Sequence, residues 1–142
     1  MAYWRLYYHF VWTTKARVPW ISEEIEAPLY RFLYDQAKEF YCPFFYIGGI
    51  AEHIHILTAV RPSVSPADFM KQLKGSSSRF VTQEFGGAFE WQQGYGVFSL
   101  AQDAIDSVKA YVLNQKLHHA NRTLFDAWEE TDNWNLGPET SE

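Results

Sequence analysis

Cysteine, long apolar runs and nucleotide-binding glycine patterns are scarce or missing in this sequence. The single cysteine, Cys42, has no second cysteine in the chain for a disulfide, which fits a reducing compartment. No run reaches the roughly 20 apolar residues that a membrane-spanning helix needs, and the N-terminal segment lacks the layout of a signal peptide. Neither a P-loop, nor the glycine pattern of dinucleotide-binding folds, nor Cys-x-x-Cys occurs. We therefore expect a cytoplasmic protein outside these motif-marked enzyme classes.

Positive charge is also in short supply, but its distribution matters more than its sum. The net charge is −5, and six of the 17 acidic residues lie between Asp126 and Glu142, where there is no lysine or arginine. Residues 1–125 are therefore close to neutral, and we expect them to form one domain followed by an acidic tail over residues 126–142. Within the domain, the basic and hydroxyl side chains that suit phosphate oxygens are Lys15, Arg17, Lys71, Lys74, Ser76 and Arg79. A solvated helix face and turn explains the same composition.

Hydrophobic periodicity and turn signals predict alternating strands and helices. Strands are indicated at residues 3–12, 42–50, 52–60 and 89–100, and helices at residues 23–40, 66–85 and 102–119. Pro28 is expected to kink the first helix or move its start, and Gly75 to interrupt the second. The Gly48-Gly49 pair permits a tight bend, so the second and third strands should pair as a hairpin. This order predicts an α+β sandwich of ferredoxin-like character.

A pair of histidines stands out in the third predicted strand. Because successive side chains of a strand point to opposite faces, His53 and His55 share a face and lie about 6 to 7 Å apart along the backbone. At that spacing both imidazoles can reach one metal ion. Ile54 and Ile56 point the other way, towards a core, which fixes the register. His9, in the first strand, is expected to be a packed or hydrogen-bonded core histidine.

The last predicted helix brings Tyr111 and Gln115 to one face. Residues four apart lie about one turn apart, with a rise of about 6 Å. Tyr111 taken alone would be a packing residue in most helices. His118 and His119 fall in the final turn, where partial positive charge complements the helix dipole. We expect these two to form a helix end rather than to serve as extra ligands.

Taken together, five segments resemble the single-tyrosine transposases of the insertion sequence 200/605 group. That group belongs to the HUH superfamily of nucleases, named for a His-hydrophobic-His motif. The matching blocks keep the family's order and span about residues 3–125: they are YHFVWTTKAR (8–17), GGIAEHIHIL (48–57), LKGSSSRF (73–80), WQQGYGVFS (91–99) and YVLNQKLHH (111–119). One His-x-His is a weak signal, whereas five ordered blocks are a strong one.

The resemblance implies a dimeric DNA transposase that cuts and rejoins single-stranded DNA beside hairpins, typically with active sites shared between two subunits. His53 and His55 match the family's metal-binding pair, Tyr111 its nucleophile, and Gln115 the glutamine that completes the metal site. A tyrosine nucleophile predicts a 5′-phosphotyrosine intermediate. The cofactor is expected to be a divalent metal, Mg²⁺ or Mn²⁺, with Zn²⁺ chemically possible. The basic residues become candidate DNA contacts, and association with the nucleoid is expected.

Two other classes of protein fit part of the sequence. A non-catalytic module of the same fold could bind single-stranded DNA or RNA by stacking bases on exposed aromatic residues, which 6 Trp, 9 Tyr and 11 Phe would supply. It would bind without metal and form no covalent adduct. A zinc-dependent hydrolase built on His53 and His55 is disfavoured, because no Asp, Glu or Cys stands at a convincing spacing to serve as a further ligand or base.

Overall fold

The computed structural model describes residues 3–40 and 45–121. In chain order the elements are β1 (Tyr7–Thr13), α1 (Glu23–Lys38), β2 (Phe45–Ile50), β3 (His53–Ala59), α2 (Pro66–Phe85), β4 (Gly96–Leu100), α3 (Ile105–Leu113) and α4 (Gln115–Asn121). Short 3₁₀ turns at Lys15–Arg17 and Gln102–Ala104 precede α1 and α3. The predicted acidic tail, the end of the predicted domain and the start of the strand predicted from Cys42 lie outside the described residues.

The four strands form one antiparallel sheet in the order β2-β3-β1-β4. This is the strand order of a ferredoxin-like unit, so the predicted α+β fold is confirmed. The predicted hairpin is confirmed as well, because β2 and β3 pair directly and only Ala51 and Glu52 separate them. Among the described helices, none combines the length and the apolar character needed to cross a membrane.

The side chains of β3 alternate between two environments, although the strand is buried along its whole length. Ile54 and Ile56 belong to the main hydrophobic core, to which α1 and α2 contribute Leu29, Leu33, Ala37, Phe69, Met70, Leu73 and Val81. Leu57 instead joins a smaller cluster with Val108 and Val112 of α3. Helices α1 and α2 therefore cover one face of the sheet and α3 covers the other.

Capping signals place the ends of α2 correctly, but the interruption expected within this helix is missing. The Ser65 hydroxyl accepts a hydrogen bond from the backbone N–H of Asp68 at 3.0 Å at the start of α2, and Gly86, with φ of 75°, follows its last residue. The break expected at Gly75 is wrong: α2 continues through it, because a glycine costs a helix only about 1 kcal/mol and burial on either side exceeds that. Helix α1 likewise begins at Glu23 and continues through Pro28.

The C-terminal third departs furthest from the sequence-based expectation. The strand predicted over residues 89–100 is limited to β4, and Trp91 makes only an isolated bridge to Thr14. The ammonium group of Lys74 donates to the backbone oxygens of Gln92 at 2.8 Å and Gly94 at 2.9 Å, so a side chain holds the segment that precedes β4. The last helix is divided into α3 and α4 at residue 114, whose φ of −107° and ψ of 29° are not helical.

Candidate active site

The histidine pair lies on the face of the sheet that α3 covers. His53 and His55 are buried, with ring centroids 5.2 Å apart and ring planes at 74°. His53 is opposite Thr13 of β1, while His55 has Val11 on one side and Gly48 of β2 on the other. Both histidines therefore lie on an inner strand of the sheet and are shielded from bulk water.

A third histidine orients His55. Nδ1 of His55 lies 2.8 Å from Nε2 of His9, and the two rings stack with centroids 5.0 Å apart. If the shared proton sits on Nδ1 of His55, its Nε2 keeps a lone pair for a cation, whereas the opposite arrangement removes that lone pair. His9 is thus a hydrogen-bonded core histidine, and it is placed to select the ligand tautomer of His55.

A carboxylate plays the corresponding role for His53. Oε1 of Glu52 lies 3.7 Å from Nδ1 of His53, too far for a hydrogen bond but close enough to attract a proton on that nitrogen. The same oxygen lies 3.0 Å from an Arg17 guanidinium nitrogen. A proton held on Nδ1 leaves Nε2 of His53 as a lone-pair donor.

Helices α3 and α4 bring the predicted tyrosine and glutamine onto the histidines. Tyr111 is buried, and its ring lies edge-on to that of His55 with centroids 5.6 Å apart. Oε1 of Gln115 lies 3.3 Å from Nε2 of His53, and Nε2 of Gln115 donates to the backbone oxygen of Tyr111 at 3.0 Å. The helix break falls between the two residues, yet both reach the same site. All four residues predicted for the reaction meet within one chain.

The close approach of α3 to the sheet depends on Gly48. A Cβ at this position would lie 1.9 Å from the backbone oxygen of Val112, far inside any non-bonded contact distance. The sequence-based interpretation of Gly48-Gly49 as a bend is wrong, because both glycines lie within β2 and the chain turns at Ala51 and Glu52. Gly48 instead provides the space in which the tyrosine helix packs against β2.

Two histidines that were expected to form only a helix end also line the site. The ring of His118 lies against that of Tyr111, with centroids 4.8 Å apart. Nε2 of His119 lies 3.0 Å from Nε2 of His53 and 3.1 Å from Oε1 of Gln115. The sequence does carry a signal for this, since Tyr111, Gln115 and His119 recur every four residues.

Lys116 anchors α4 to the rest of the domain. Its ammonium nitrogen lies 2.7 Å from a carboxylate oxygen of Glu26, in the first turn of α1, and donates to the backbone oxygen of Gly49 at 3.1 Å. Because Lys116 directly follows Gln115, these two contacts help to fix the helix that presents the amide oxygen to His53.

The donors at this site suit a divalent cation when the amide is counted with the imidazoles. In the part of the chain that the structure describes, no group of three His, Cys, Asp or Glu side chains is arranged to hold a metal ion. Nε2 of His53 and Oε1 of Gln115 are buried and lie 3.3 Å apart, close enough for one ion to contact both. Imidazole with amide oxygen is a mixed nitrogen and oxygen donor set, in which the amide oxygen suits Mn²⁺ and the imidazoles also suit Zn²⁺.

Comparison with known proteins places this site in a family. The sequence model of the family described as "Transposase IS200 like" matches residues 2–115, which is most of the chain. The chain belongs to the IS200-like transposase family. The matched segment contains the histidine pair, Tyr111 and Gln115, so the resemblance identified from the sequence blocks is confirmed.

Individual relatives of this IS200-like transposase agree with that assignment. The ISDra2 transposase TnpA of Deinococcus radiodurans is 25% identical over 118 residues, covering 78% of this chain and 84% of that protein. A crystal structure of a candidate transposase from Deinococcus radiodurans R1 superposes with a TM-score of 0.65 at 25% identity, covering 81% of this chain and 95% of the other. A REP-associated tyrosine transposase bound to a REP hairpin gives a TM-score of 0.58 at 15% identity over 84% of this chain and 74% of the other, which shows a shared fold.

Two of the six candidate DNA contacts of this IS200-like transposase have roles inside the domain. Lys74 and Ser76 are both buried. Lys74 holds the segment before β4, and the Ser76 hydroxyl donates to the backbone oxygen of Gln72 at 2.7 Å. In the described structure these two side chains make contacts within the fold, so we do not carry them into the set of exposed candidate phosphate contacts.

The other four candidates are exposed. Lys15 pairs with Glu90 and Arg17 with Glu52, each at 3.0 Å. Such exposed pairs contribute little to stability, so a phosphate can replace the carboxylate at small cost. The remaining two are on the solvent side of α2, where Gly75 lies between them; they are Lys71 and Arg79.

Proposed function

We propose that this IS200-like transposase cleaves and rejoins single-stranded DNA by metal-assisted transesterification, with Tyr111 as the nucleophile. The observation that carries the proposal is the meeting of Tyr111 and Gln115 with the His53 and His55 pair in one buried site. A tyrosine that served only packing would need neither an imidazole pair nor an amide oxygen beside it. Acid-base, ligand and nucleophile functions are therefore assembled in one place.

We infer that His53, His55 and Gln115 hold a divalent cofactor, Mg²⁺ or Mn²⁺. When bound, such an ion polarises the scissile phosphate and neutralises the charge that develops on it. All three side chains are neutral, so they do not cancel the charge that acts on the phosphate. His9 and Glu52 support this role by favouring a proton on Nδ1 of each histidine, which keeps the Nε2 lone pairs available.

The proposed reaction keeps the phosphodiester linkage activated throughout. The phenol oxygen of Tyr111 attacks the phosphorus, and the bond from phosphorus to the 3′-oxygen breaks. The products are a 5′-phosphotyrosine and a free 3′-OH, because the proton lost by the phenol ends on the departing oxygen. His118, whose ring lies 4.8 Å from that of Tyr111, is placed to carry this proton. Attack by a second 3′-OH reverses the step and rejoins the DNA without hydrolysis of a nucleotide.

Single-stranded DNA with hairpin ends is the substrate we propose. One protein of the same fold is bound to a REP hairpin, which supports hairpin DNA as the class of partner. The exposed cations proposed to contact phosphates are Lys15, Arg17, Lys71 and Arg79. For a protein that acts on this substrate, we propose a location in the cytoplasm, associated with the nucleoid.

Covalent trapping tests the nucleophile. Incubation with hairpin-bearing single-stranded DNA and Mn²⁺ should give a protein–DNA adduct, and Tyr111→Phe should lower cleavage by at least about 10³-fold. Tyr34→Phe, at a 41% exposed tyrosine of α1, is the matched control and should form the adduct normally. An adduct that persists in Tyr111→Phe would contradict the assignment. Metal-independent DNA binding with no adduct in the unmodified protein would favour the non-catalytic module instead.

A homodimer is the assembly we propose. Leu113 and Leu117 are 50% and 58% exposed and lie four residues apart on α3 and α4, an apolar pair suited to a subunit contact. An active site shared between subunits is not required by the geometry, since Tyr111 reaches His55 of its own chain. Mixing a His53→Ala/His55→Ala protein with a Tyr111→Phe protein decides between the two arrangements: restored cleavage requires shared sites, and no restoration indicates sites within one chain.

A further inference from the structure

We propose that His119 is an additional ligand of the divalent ion. The proposal rests on the proposed metal-dependent function and extends its ligand set of two imidazoles and one amide. Its basis is a triangle of donor atoms with nearly equal sides. Nε2 of His119 lies 3.0 Å from Nε2 of His53 and 3.1 Å from Oε1 of Gln115, and the third side measures 3.3 Å.

The size of this triangle matches one face of a coordination sphere. Donors bound about 2.1 Å from an ion are about 3.0 Å apart when adjacent in an octahedron and about 3.4 Å apart in a tetrahedron. All three sides of the triangle fall within this range. One ion can therefore contact the three atoms without any change in their separation.

Separate contacts fix the corners of the triangle. Glu52 attracts a proton to Nδ1 of His53, which leaves the lone pair on Nε2. The amide nitrogen of Gln115 is bound to the backbone oxygen of Tyr111, so its oxygen is the end that faces His53. His119 lies one turn after Gln115 on α4, a spacing that brings both side chains to the same face. The convergence therefore follows from the backbone of β3 and α4.

A fourth protein ligand would restrict the choice of metal. The described side chains do not form a three-histidine group as they stand, so His55 has to close on the same ion that the triangle binds. Three imidazoles and one amide would then complete the coordination sphere of a tetrahedral ion such as Zn²⁺. An ion that accepts five or six donors, such as Mn²⁺, keeps positions open for water and a phosphate oxygen. Zn²⁺ is accordingly expected to occupy the site and to inhibit strand cleavage.

A hydrogen bond from His119 to His53 and Gln115 would give similar distances without a metal. In that arrangement His119 would compete with the ion for the same lone pairs. The two roles differ in sign, because removal of a ligand weakens metal binding and removal of a competitor strengthens it. Co²⁺ binding to the full chain without DNA, followed by visible absorption, measures that sign directly.

His119→Ala should weaken Co²⁺ binding by at least about tenfold. His118→Ala is the matched control, because it removes the neighbouring imidazole, whose ring contacts Tyr111, and it should keep the affinity within about twofold. Unchanged or tighter binding in His119→Ala would overturn the proposal. His53→Ala tests the metal site itself: if it leaves Co²⁺ binding unchanged, the proposed function fails, whereas a loss there with none in His119→Ala refutes only the role of His119.

Two spectroscopic measurements do not depend on affinity. In His119→Cys, a thiolate bound to Co²⁺ should add a near-ultraviolet charge-transfer band that is absent from His118→Cys and from the unmodified protein, which contains only Cys42. In the unmodified Co²⁺ protein, proton NMR should show three hyperfine-shifted exchangeable imidazole signals, one each for His53, His55 and His119. Absence of the band, or only two such signals, would overturn the proposal.

Discussion

The two faces of the sheet differ sharply in what they bury. On the face covered by α1 and α2, large apolar side chains fill the interior, and the rings of Phe10 and Phe69 lie 5.4 Å apart within it. On the face covered by α3, the apolar cluster consists of Leu57, Val108 and Val112, and buried polar side chains lie beside it, among them three histidines, Tyr111 and Gln115. The same strand, β3, contributes to both.

The two faces therefore have different roles: the first mainly stabilises the fold, and the second carries the candidate active site. Apolar burial stabilises by about 25 cal/mol per Å², so the first face supplies most of the folding free energy. Burying polar groups on the second face is unfavourable unless each is paired, which is why the histidines there occur with His9, Glu52 and Gln115. We therefore expect α3 and α4 to open at a lower free-energy cost than the elements of the first face.

Among the variants that test this difference between the two faces, Phe69→Ala should cause the largest loss of stability. Removing this fully buried ring from α2 should lower the free energy of unfolding by about 3–5 kcal/mol. Val18→Ala, at a residue that is 40% exposed, is the control and should change it by less than about 0.5 kcal/mol. Urea denaturation measures both, and equal costs would show that the buried ring of Phe69 contributes no more to stability than an exposed side chain.

Gly48→Ala should damage the second face selectively. The new methyl group would meet the backbone of Val112, which cannot rotate away, so we expect a cost of about 1–3 kcal/mol and displacement of α3. Hydrogen exchange should become faster in α3 and α4 while α2 keeps its protection. If α3 exchanges as slowly as before, Gly48 does not set the approach of the tyrosine helix.

Gly75→Ala, in helix α2 on the first face, should raise the stability of the protein and not lower it. No atom lies within 4 Å of the position that its Cβ would take, so we expect a gain of about 0.5–1 kcal/mol in stability. Since Lys71 and Arg79 flank it on the solvent side of α2, the same variant should bind hairpin DNA more weakly if the backbone there approaches phosphates. A more stable protein with unchanged DNA affinity would place the DNA elsewhere.

Lys116→Ala should have the smallest effect, which should appear as a change in metal affinity at the site. Its pair with Glu26 is partly exposed, and such pairs contribute about 0.2–1 kcal/mol, so Co²⁺ affinity should fall only about two- to fivefold. Arg31→Ala removes an exposed pair with Asp35 on α1 and should leave the affinity unchanged. Equal effects of the two variants would mean that Lys116 does not position Gln115.

Local rules account for most of the fold. Alternation along β3 predicted which side chains enter the core, and Ser65 and Gly86 marked the ends of α2. The same rules failed at Gly75, where local propensity suggested a break and burial of the flanking helix face kept α2 continuous. Helix α1 keeps its predicted start at Glu23 although Pro28 lies within it. The local rules also predicted too long a strand at residues 89–100, of which only β4 forms a strand, because strand pairing depends on a neighbour that is distant in sequence.

By itself, the sequence placed His53 and His55 on one face of a strand and Tyr111 and Gln115 on one face of a helix, and its resemblance to a transposase family predicted that the two pairs form one site. Only the tertiary structure decided that His119 also reaches His53, that Lys74 is occupied by backbone oxygens, and that Gly48 makes room for α3. The physical reason is that the two kinds of information act over different distances along the chain. Periodicity fixes which side chains of one element share a face, whereas distances between elements follow from how whole faces pack together.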